Sequence, residues 1–208
     1  MVDYLKQNDR KKIEALYNDR FDNYKNDIKT VGWGSREDQT LRFEQLFRNL
    51  DLKGKKILDV GCGLGDLTTF LNEKTSGNFS YIGIDIAKSL IDEANRLKAA
   101  NNISFIHGEV FLINGKFDYV VESGALTYKI EDNILYTTKV MKKMFELSNE
   151  AACLNFMTKY VDFELDKNFH YSPEEMFTHA INLTPHVAIF HDYRLWEFTL
   201  QLKKGLRK

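Results

Sequence analysis

Three glycines at 61, 63 and 65, in a chain of 208 residues that has only 12, fall inside "ILDVGCGLGD", where a short apolar run gives way to a small-residue turn and then an acid. Glycine lets a backbone take positive φ and lets a ligand come close to it. A turn of this kind between a strand and a helix also leaves the first helical amides free to donate to that ligand. The chemistry expected is capture of a nucleotide-like molecule. The dinucleotide fingerprint is G-x-G-x-x-G, but here the third glycine comes one residue early and Asp66 holds the sixth place. An acid at the helix start repels a pyrophosphate. Asp59, two residues ahead of Gly61, stands where it can accept a hydrogen bond from an ammonium or from the amides of the turn itself.

The elements that must position this turn are legible from residue 56 onward. "KILDV" is an apolar run of strand length, and behind it Leu64, Leu67, Phe70 and Leu71 share one helical face. "YIGID" supplies a second strand, followed by a helix with Leu90, Ile91, Ala94 and Leu97 inward. "ISFIH" and "FDYVVES" make strands three and four. Residues 131–148 make a helix with Ile134, Leu135, Met141, Met144 and Phe145 inward, and "ACLNFMT" makes strand five. The alternation predicts an α/β, doubly wound architecture, a parallel sheet with helices on both faces. Ser172, Pro173 and Glu175 open a further helix as a capping box. Beyond Pro185, "HVAIFHDY" and "LWEFTLQLKK" are too close together for anything but an antiparallel pair. Seven strands result, mostly parallel, the last one antiparallel, with Trp196, Phe198, Leu200 and Leu202 alternating against Glu197, Thr199, Gln201 and Lys203. Residues 1–50 read as an N-terminal helical extension, two helices joined by "VGWGS". Ser35 and Asp38 form its capping pair, and Leu41, Phe43, Leu46 and Phe47 its apolar stripe. This extension is expected to cover a ligand-binding domain of residues 51–208, the whole forming one globular unit.

"DVGCGLGD" resembles the first motif of the class I S-adenosylmethionine-dependent methyltransferases. The resemblance covers residues 55 to about 160 and implies S-adenosylmethionine as cofactor. It implies that the turn, with Asp59, Gly61, Cys62 and Gly63, lies against the methionine part, and that Asp85, closing "YIGID", holds both ribose hydroxyls with Ile86 packed on adenine. Glu109 and Val110 of "FIHGEV" then stand near the adenine amino group, where aspartate is commoner. Glu122 opens "ESGALTY", where methionine and acceptor meet. "ESGAL" lacks the (N/D)-P-P-(Y/F) turn of amine-methylating DNA and protein enzymes, which implies a small-molecule acceptor, with oxygen ahead of nitrogen as nucleophile. Trp33, between two glycines, is placed either to cover the sulfonium with an aromatic face or to anchor the two helices. Arg36 and Arg42 are candidates for the cofactor's carboxylate. No catalytic base is assigned; Tyr128 and His107 come first among the polar groups near the methyl position, then Glu122 and His170.

Composition narrows the partners. With 43% hydrophobic and 28% charged residues and a formal net charge of −1, nothing pulls the chain towards nucleic acid or an anionic membrane. The opening "MVDYLKQNDRKK" carries charge where a leader needs an apolar core, and no apolar run could span a bilayer. Two cysteines fit a reducing compartment, so a cytoplasmic protein is expected. The five histidines lack metal spacing, and no metal is expected. Nothing in the sequence speaks to oligomeric state. Two other readings stand beside the methyltransferase: an NAD(P)-dependent oxidoreductase or epimerase on a related fold, which the glycine spacing disfavours, and a cofactor-binding subunit with no catalysis of its own.

Overall fold

The structure, a computed structural model, describes residues 5–205. β1 (Lys56–Val60) is buried at every position after Lys56, the pattern of a strand covered on both faces. It pairs in parallel with β2 (Ser80–Asp85) on one side and β4 (Phe117–Glu122) on the other. β3 (Ile103–His107) extends the sheet beyond β2, and β5 (Ser148–Met157) beyond β4. β6 (Val187–Phe190) and β7 (Glu197–Lys203) complete the order β3-β2-β1-β4-β5-β7-β6. The order reverses at β1, and in open α/β sheets the ligand crevice lies outside the strand ends at that point.

β7 is the reversed strand, as expected, but it is not the edge: it lies antiparallel between β5 and β6. Its alternating polar row is therefore buried rather than solvated. Glu197, Thr199 and Gln201 are all buried, because α2 (Arg36–Leu46) lies over that face. Gln201 Nε2 donates to the Leu46 carbonyl at 2.9 Å and to the Arg48 carbonyl at 3.0 Å, and Asn155 Nδ2 donates to Thr199 Oγ1 at 2.6 Å.

Phe43, Leu46 and Phe47 from α2 and its C-terminal turn share one core with Phe70 and Leu71 of α3 (Leu67–Thr75) and Ile91 of α4 (Lys88–Lys98), all packed on Ile57, Tyr119 and Cys153 of the sheet. The other face buries Met141 and Met144 of α5 (Asn133–Leu147) and Met176 of α6 (Pro173–Ile181) against Leu58, Val120 and Leu200. The inward face of α5 is Asn133, Thr137, Val140, Met141, Met144 and Leu147. Leu135, expected inward, is 49% exposed, because Thr137 turns in to meet the Tyr171 hydroxyl at 2.8 Å. Leu97 of α4 is likewise outward.

Among the described residues ahead of β1 lie two α-helices, which differ in what they pack against. α2 is part of the sheet's core, with Ser35 Oγ accepting from the Asp38 amide at 3.1 Å as its cap. α1 (Gln7–Tyr24) packs apart from that core. Its Tyr17 and Phe21 rest on Leu64, Ala87 and Leu90 beside the carboxyl ends of β1 and β2. It is tethered by the ion pairs Lys6–Glu131 and Arg10–Glu109. No helix among the described residues is long and apolar enough to cross a membrane.

Candidate functional site

The carboxyl ends of β1, β2 and β4 lie level, Val60 standing opposite both Ile84 and Glu122. The glycine turn leaves β1 at this level. Its first two amides, of Gly61 and Cys62, donate to the Ile84 carbonyl at 2.8 and 3.2 Å. Gly61 and Gly63 have φ of 76° and 54°, left-handed values that burden any residue with a Cβ. Space adds a second constraint. A Cβ at Gly61 would overlap that of Ala125, and one at Gly63 would come within 2.8 Å of Val31 Cγ1. Cys62 turns its sulfur towards β2, over Gly83, where an added Cβ would lie 2.7 Å from it. Burial raises this thiol well above its usual range, so Cys62 offers its backbone rather than a nucleophile.

Beyond the turn opens a cavity of about 380 Å³. Ten of the residues expected to touch the cofactor line it: Trp33, Asp59, Gly61, Cys62, Gly63, Asp85, Ile86, Glu109, Val110 and Glu122. Asp85 is half-buried. Its Oδ2 accepts from the Gly63 amide at 2.9 Å and its Oδ1 from the Ala87 amide at 2.8 Å. Burial pushes the carboxyl up, against the pull of those amides. The bonds fix the plane of the carboxylate and leave each oxygen a second lone pair. Glu109 is engaged rather than free: its carboxylate is ion-paired with Arg10 of α1, and the Tyr136 hydroxyl donates to it at 3.5 Å.

Two carboxylates form the floor. Asp59 is 3% exposed and Glu122 fully buried. The Tyr81 hydroxyl, and not the turn's amides, donates to Asp59 Oδ2 at 2.7 Å. The Leu126 amide donates to Glu122 Oε1 at 3.2 Å. Asp59 Oδ1, Glu122 Oε2 and the neighbouring Ser123 Oγ are buried with no hydrogen-bond partner. Burial, with the like charges of Asp85 and Asp66 behind it, lifts Asp59 to about 7 against the pull of Tyr81. Burial lifts Glu122 to about 8, although Arg42 and the Leu126 and Ala125 amides oppose it. A cation placed between the two would satisfy both.

The wall beyond is built by α2 and β7. Arg42 Nε donates to Glu197 Oε2 at 2.7 Å, and a second bond joins Arg42 Nη2 to Glu197 Oε1, both side chains being buried. The same guanidinium stands 4.1 Å from the centre of the Trp33 ring. Trp33 lines the cavity, with one face of its ring already occupied by the Arg42 cation. Arg42 is not free for a ligand carboxylate, and Arg36 is exposed and outside the cavity. Tyr128 lines the cavity beside Thr127, Met157, Leu165, Lys167 and Asn168. His107 does not: it is exposed, its Nε2 at 2.9 Å from the Ile86 carbonyl oxygen. His170 also lies outside, its Nδ1 at 2.8 Å from the Thr158 carbonyl oxygen. Sequence reading passed over Tyr17, Arg20, Tyr136 and Glu197, all of which line the cavity. A polar Asp59 inside an apolar strand signals a buried partner, which is Tyr81, but no spacing ties Arg42 to a glutamate 155 residues away. Among the described residues no three His, Cys, Asp or Glu side chains gather as a metal site.

Known proteins resemble this chain in sequence and in fold. The Synechocystis PCC 6803 magnesium protoporphyrin IX methyltransferase, solved with bound S-adenosylhomocysteine, superposes with a TM-score of 0.68 at 14% identity over 94% of this chain and 99% of that one. Demethylmenaquinone methyltransferase of Lactococcus lactis is 32% identical over 112 residues, 51% of this chain and 42% of that enzyme. The ribosomal protein L11 methyltransferase of Helicobacter pylori is 35% identical over 96 residues, 43% of this chain and 28% of that enzyme. The chain thus spans less than half the length of either curated relative. The family described as "Methyltransferase domain" matches residues 51–199, from just ahead of β1 into β7. With its strand order and glycine turn, this chain belongs to the methyltransferase domain family, on the class I S-adenosylmethionine-dependent fold.

Proposed function

We propose that the chain moves the methyl group of S-adenosylmethionine to a small-molecule acceptor, with oxygen ahead of nitrogen as the atom attacked. The observation that carries the cofactor reading is the row of orphaned buried oxygens, Asp59 Oδ1, Glu122 Oε2 and Ser123 Oγ, at the strand ends beside a glycine turn. Leaving such atoms unmet costs about 1–3 kcal/mol each, and an amino-acid ammonium set against them removes that cost. Asp85 is held in position to accept from two ribose hydroxyls, Ile86 and Val110 flank the adenine, and the Cys62 and Gly63 backbone faces the methionine portion. Glu109 contributes to the adenine pocket while paired with Arg10.

The sulfonium carries its own activation, so the protein's part is alignment of the nucleophile with the carbon–sulfur bond and exclusion of water. α1 and Trp33 supply the exclusion. Tyr128, Met157, Leu165 and Asn168 border the space left for an acceptor, and that mixture of apolar surface with a few polar groups suits a small organic molecule. The oxygen preference rests on "ESGAL", which lacks the proline turn used to grip an amine. The demethylmenaquinone and protoporphyrin enzymes lend the small-molecule reading support by likeness, while the ribosomal protein enzyme marks the alternative. Calorimetry with S-adenosylhomocysteine tests the cofactor. Transfer of labelled methyl from S-adenosylmethionine to a panel of phenols, carboxylic acids, amines and proteins tests the acceptor; label found on protein or amines alone would refute the finer reading.

A further inference from the structure

At the acceptor end of the cavity the apolar lining continues onto the surface. Leu165, which lines the cavity, is 50% exposed, and two residues back along the same loop Phe163 is 56% exposed. The Phe163 ring meets that of Trp196, itself 58% exposed, edge to face with the ring centres 6.2 Å apart. The loop is held in place. The Lys129 amide donates to the Lys167 carbonyl and the Phe169 amide to the Thr127 carbonyl, each at 2.8 Å, and the Thr158 amide donates to the Trp196 carbonyl at 3.1 Å. Single exposed apolar residues are ordinary, but a group of large ones inside a polar rim marks a surface that meets a partner or a ligand.

Volume bears on which of these it is. Pockets that hold one drug-sized molecule run from about 300 to 1,000 Å³, so a cavity of about 380 Å³ that receives the cofactor leaves room for little more than the reacting end of an acceptor. The rest of the acceptor lies outside, where the surface next to Leu165 is apolar. Charge narrows the occupant further. Asp162, Glu164 and Asp166 are exposed and alternate with Phe163 and Leu165. They repel an anionic bilayer, and a second copy of this chain meeting the same patch across a two-fold axis would set acid against acid. An uncharged apolar chain meets neither penalty. Resting on the small-molecule acceptor reading above, we propose that the acceptor is a lipophilic molecule: its reactive head enters the cavity beside Tyr128, and its apolar tail leaves over Leu165 and lies along Phe163 and Trp196.

The test uses 4-alkylphenols from ethyl to octyl, titrated by calorimetry into the full chain saturated with S-adenosylhomocysteine. Affinity should rise by about two- to fourfold per methylene until the tail outruns the patch. Phe163→Ser and Trp196→Ser should each flatten that rise while leaving the affinities for 4-ethylphenol and for S-adenosylhomocysteine unchanged. Both side chains are exposed, so unchanged melting temperatures will show the variants folded. A flat series in the unsubstituted chain, or a rise that survives both substitutions, overturns the proposal while the small-molecule reading stands. So does a dimer that Trp196→Ser breaks in analytical ultracentrifugation, or co-sedimentation with phosphatidylcholine vesicles that the same substitution abolishes, since the patch then serves a second copy or a membrane. Methyl label found on protein alone in the transfer panel overturns the small-molecule reading and this proposal together.

Discussion

Lowering the pH from 7 to 6 should weaken S-adenosylhomocysteine binding by up to about tenfold through Glu122 alone, and Glu122→Gln should remove that part of the dependence. The free carboxyl titrates at about 8, so across this window nearly every molecule must give up a proton before Glu122 can meet an ammonium as an anion. Below its free pKa each pH unit costs about 1.4 kcal/mol of ionisation. The sign follows from the bound state: an adjacent ammonium favours the anion and lowers its pKa, so binding releases a proton. Asp59, at about 7, adds a shallower dependence that the glutamine variant retains. Calorimetry in two buffers of unlike ionisation enthalpy counts the protons, and the unsubstituted chain should release more than the variant by roughly half a proton or more. Affinity flat from pH 6 to 7, or proton release untouched by the substitution, would show that the ammonium does not meet Glu122. The same shift acts on the ligand-free fold with the opposite sense. Because the folded pKa lies above the unfolded value, the folded state binds the extra proton, and stability falls as pH rises from about 4.5 towards 8. The melting temperature should fall over that range, and fall less in Glu122→Gln.

Asp85→Ala removes an acceptor for two charge-assisted hydrogen bonds worth about 1.5–3 kcal/mol each, so affinity for the cofactor should drop at least about tenfold with the fold retained; unchanged affinity in calorimetry would remove Asp85 from the site. Gly63→Val should abolish binding and also lower the melting temperature, since the new side chain meets Val31 at a left-handed φ; normal binding would show that the turn adapts. A chain beginning at Asp51 loses Phe43, Leu46 and Phe47 from the core, at about 1.5–3 kcal/mol apiece, and opens to water the apolar sheet face that they cover. It should not fold, whereas a chain beginning at Asn26 should keep the far-ultraviolet circular dichroism of the sheet and lose affinity; a folded chain from Asp51 would refute the core role of α2. Tyr128→Phe and His107→Gln should each cost less than about a hundredfold in turnover once an acceptor is known, and a thousandfold loss with a vanished limb in the pH profile would identify a general base.

β1 was legible because a parallel strand buried on both faces is written as a short apolar run, and "KILDV" matches it residue for residue; "ISFIH" matches the edge strand β3, of which only Ile103 and Phe105 are buried. The glycine turn and Asp85 were legible because local backbone geometry and strand-end position are both local signals. What sequence periodicity misread were polar residues buried by pairing. The Glu197, Thr199 and Gln201 row has the pattern of a solvated face, yet it meets α2 and β5 side chains and carbonyls far away in sequence. For the same reason α2 read as a cover, since Gln39 and Arg42 in its buried face weaken the apolar stripe. Asn133 and Thr137 did the same to the face of α5. Arg20 was invisible because nothing local distinguishes a helix-face arginine over a cavity from one in water.

The bonds between α2 and β7 also set an order of events in folding. Arg42–Glu197 and the Gln201–Leu46 bond each join residues 155 positions apart, and closing a flexible loop of that length costs about 4–5 kcal/mol in chain entropy. Local contacts among the first strands and their crossover helices can accumulate without that cost. The polar bonds of α2 to β7 form only once the β6–β7 hairpin has paired with β5, so docking of that hairpin is expected to be the slow, late step, which stopped-flow refolding checks. Until then the face under α2 is open and apolar, the state in which this chain is most prone to associate with itself during refolding.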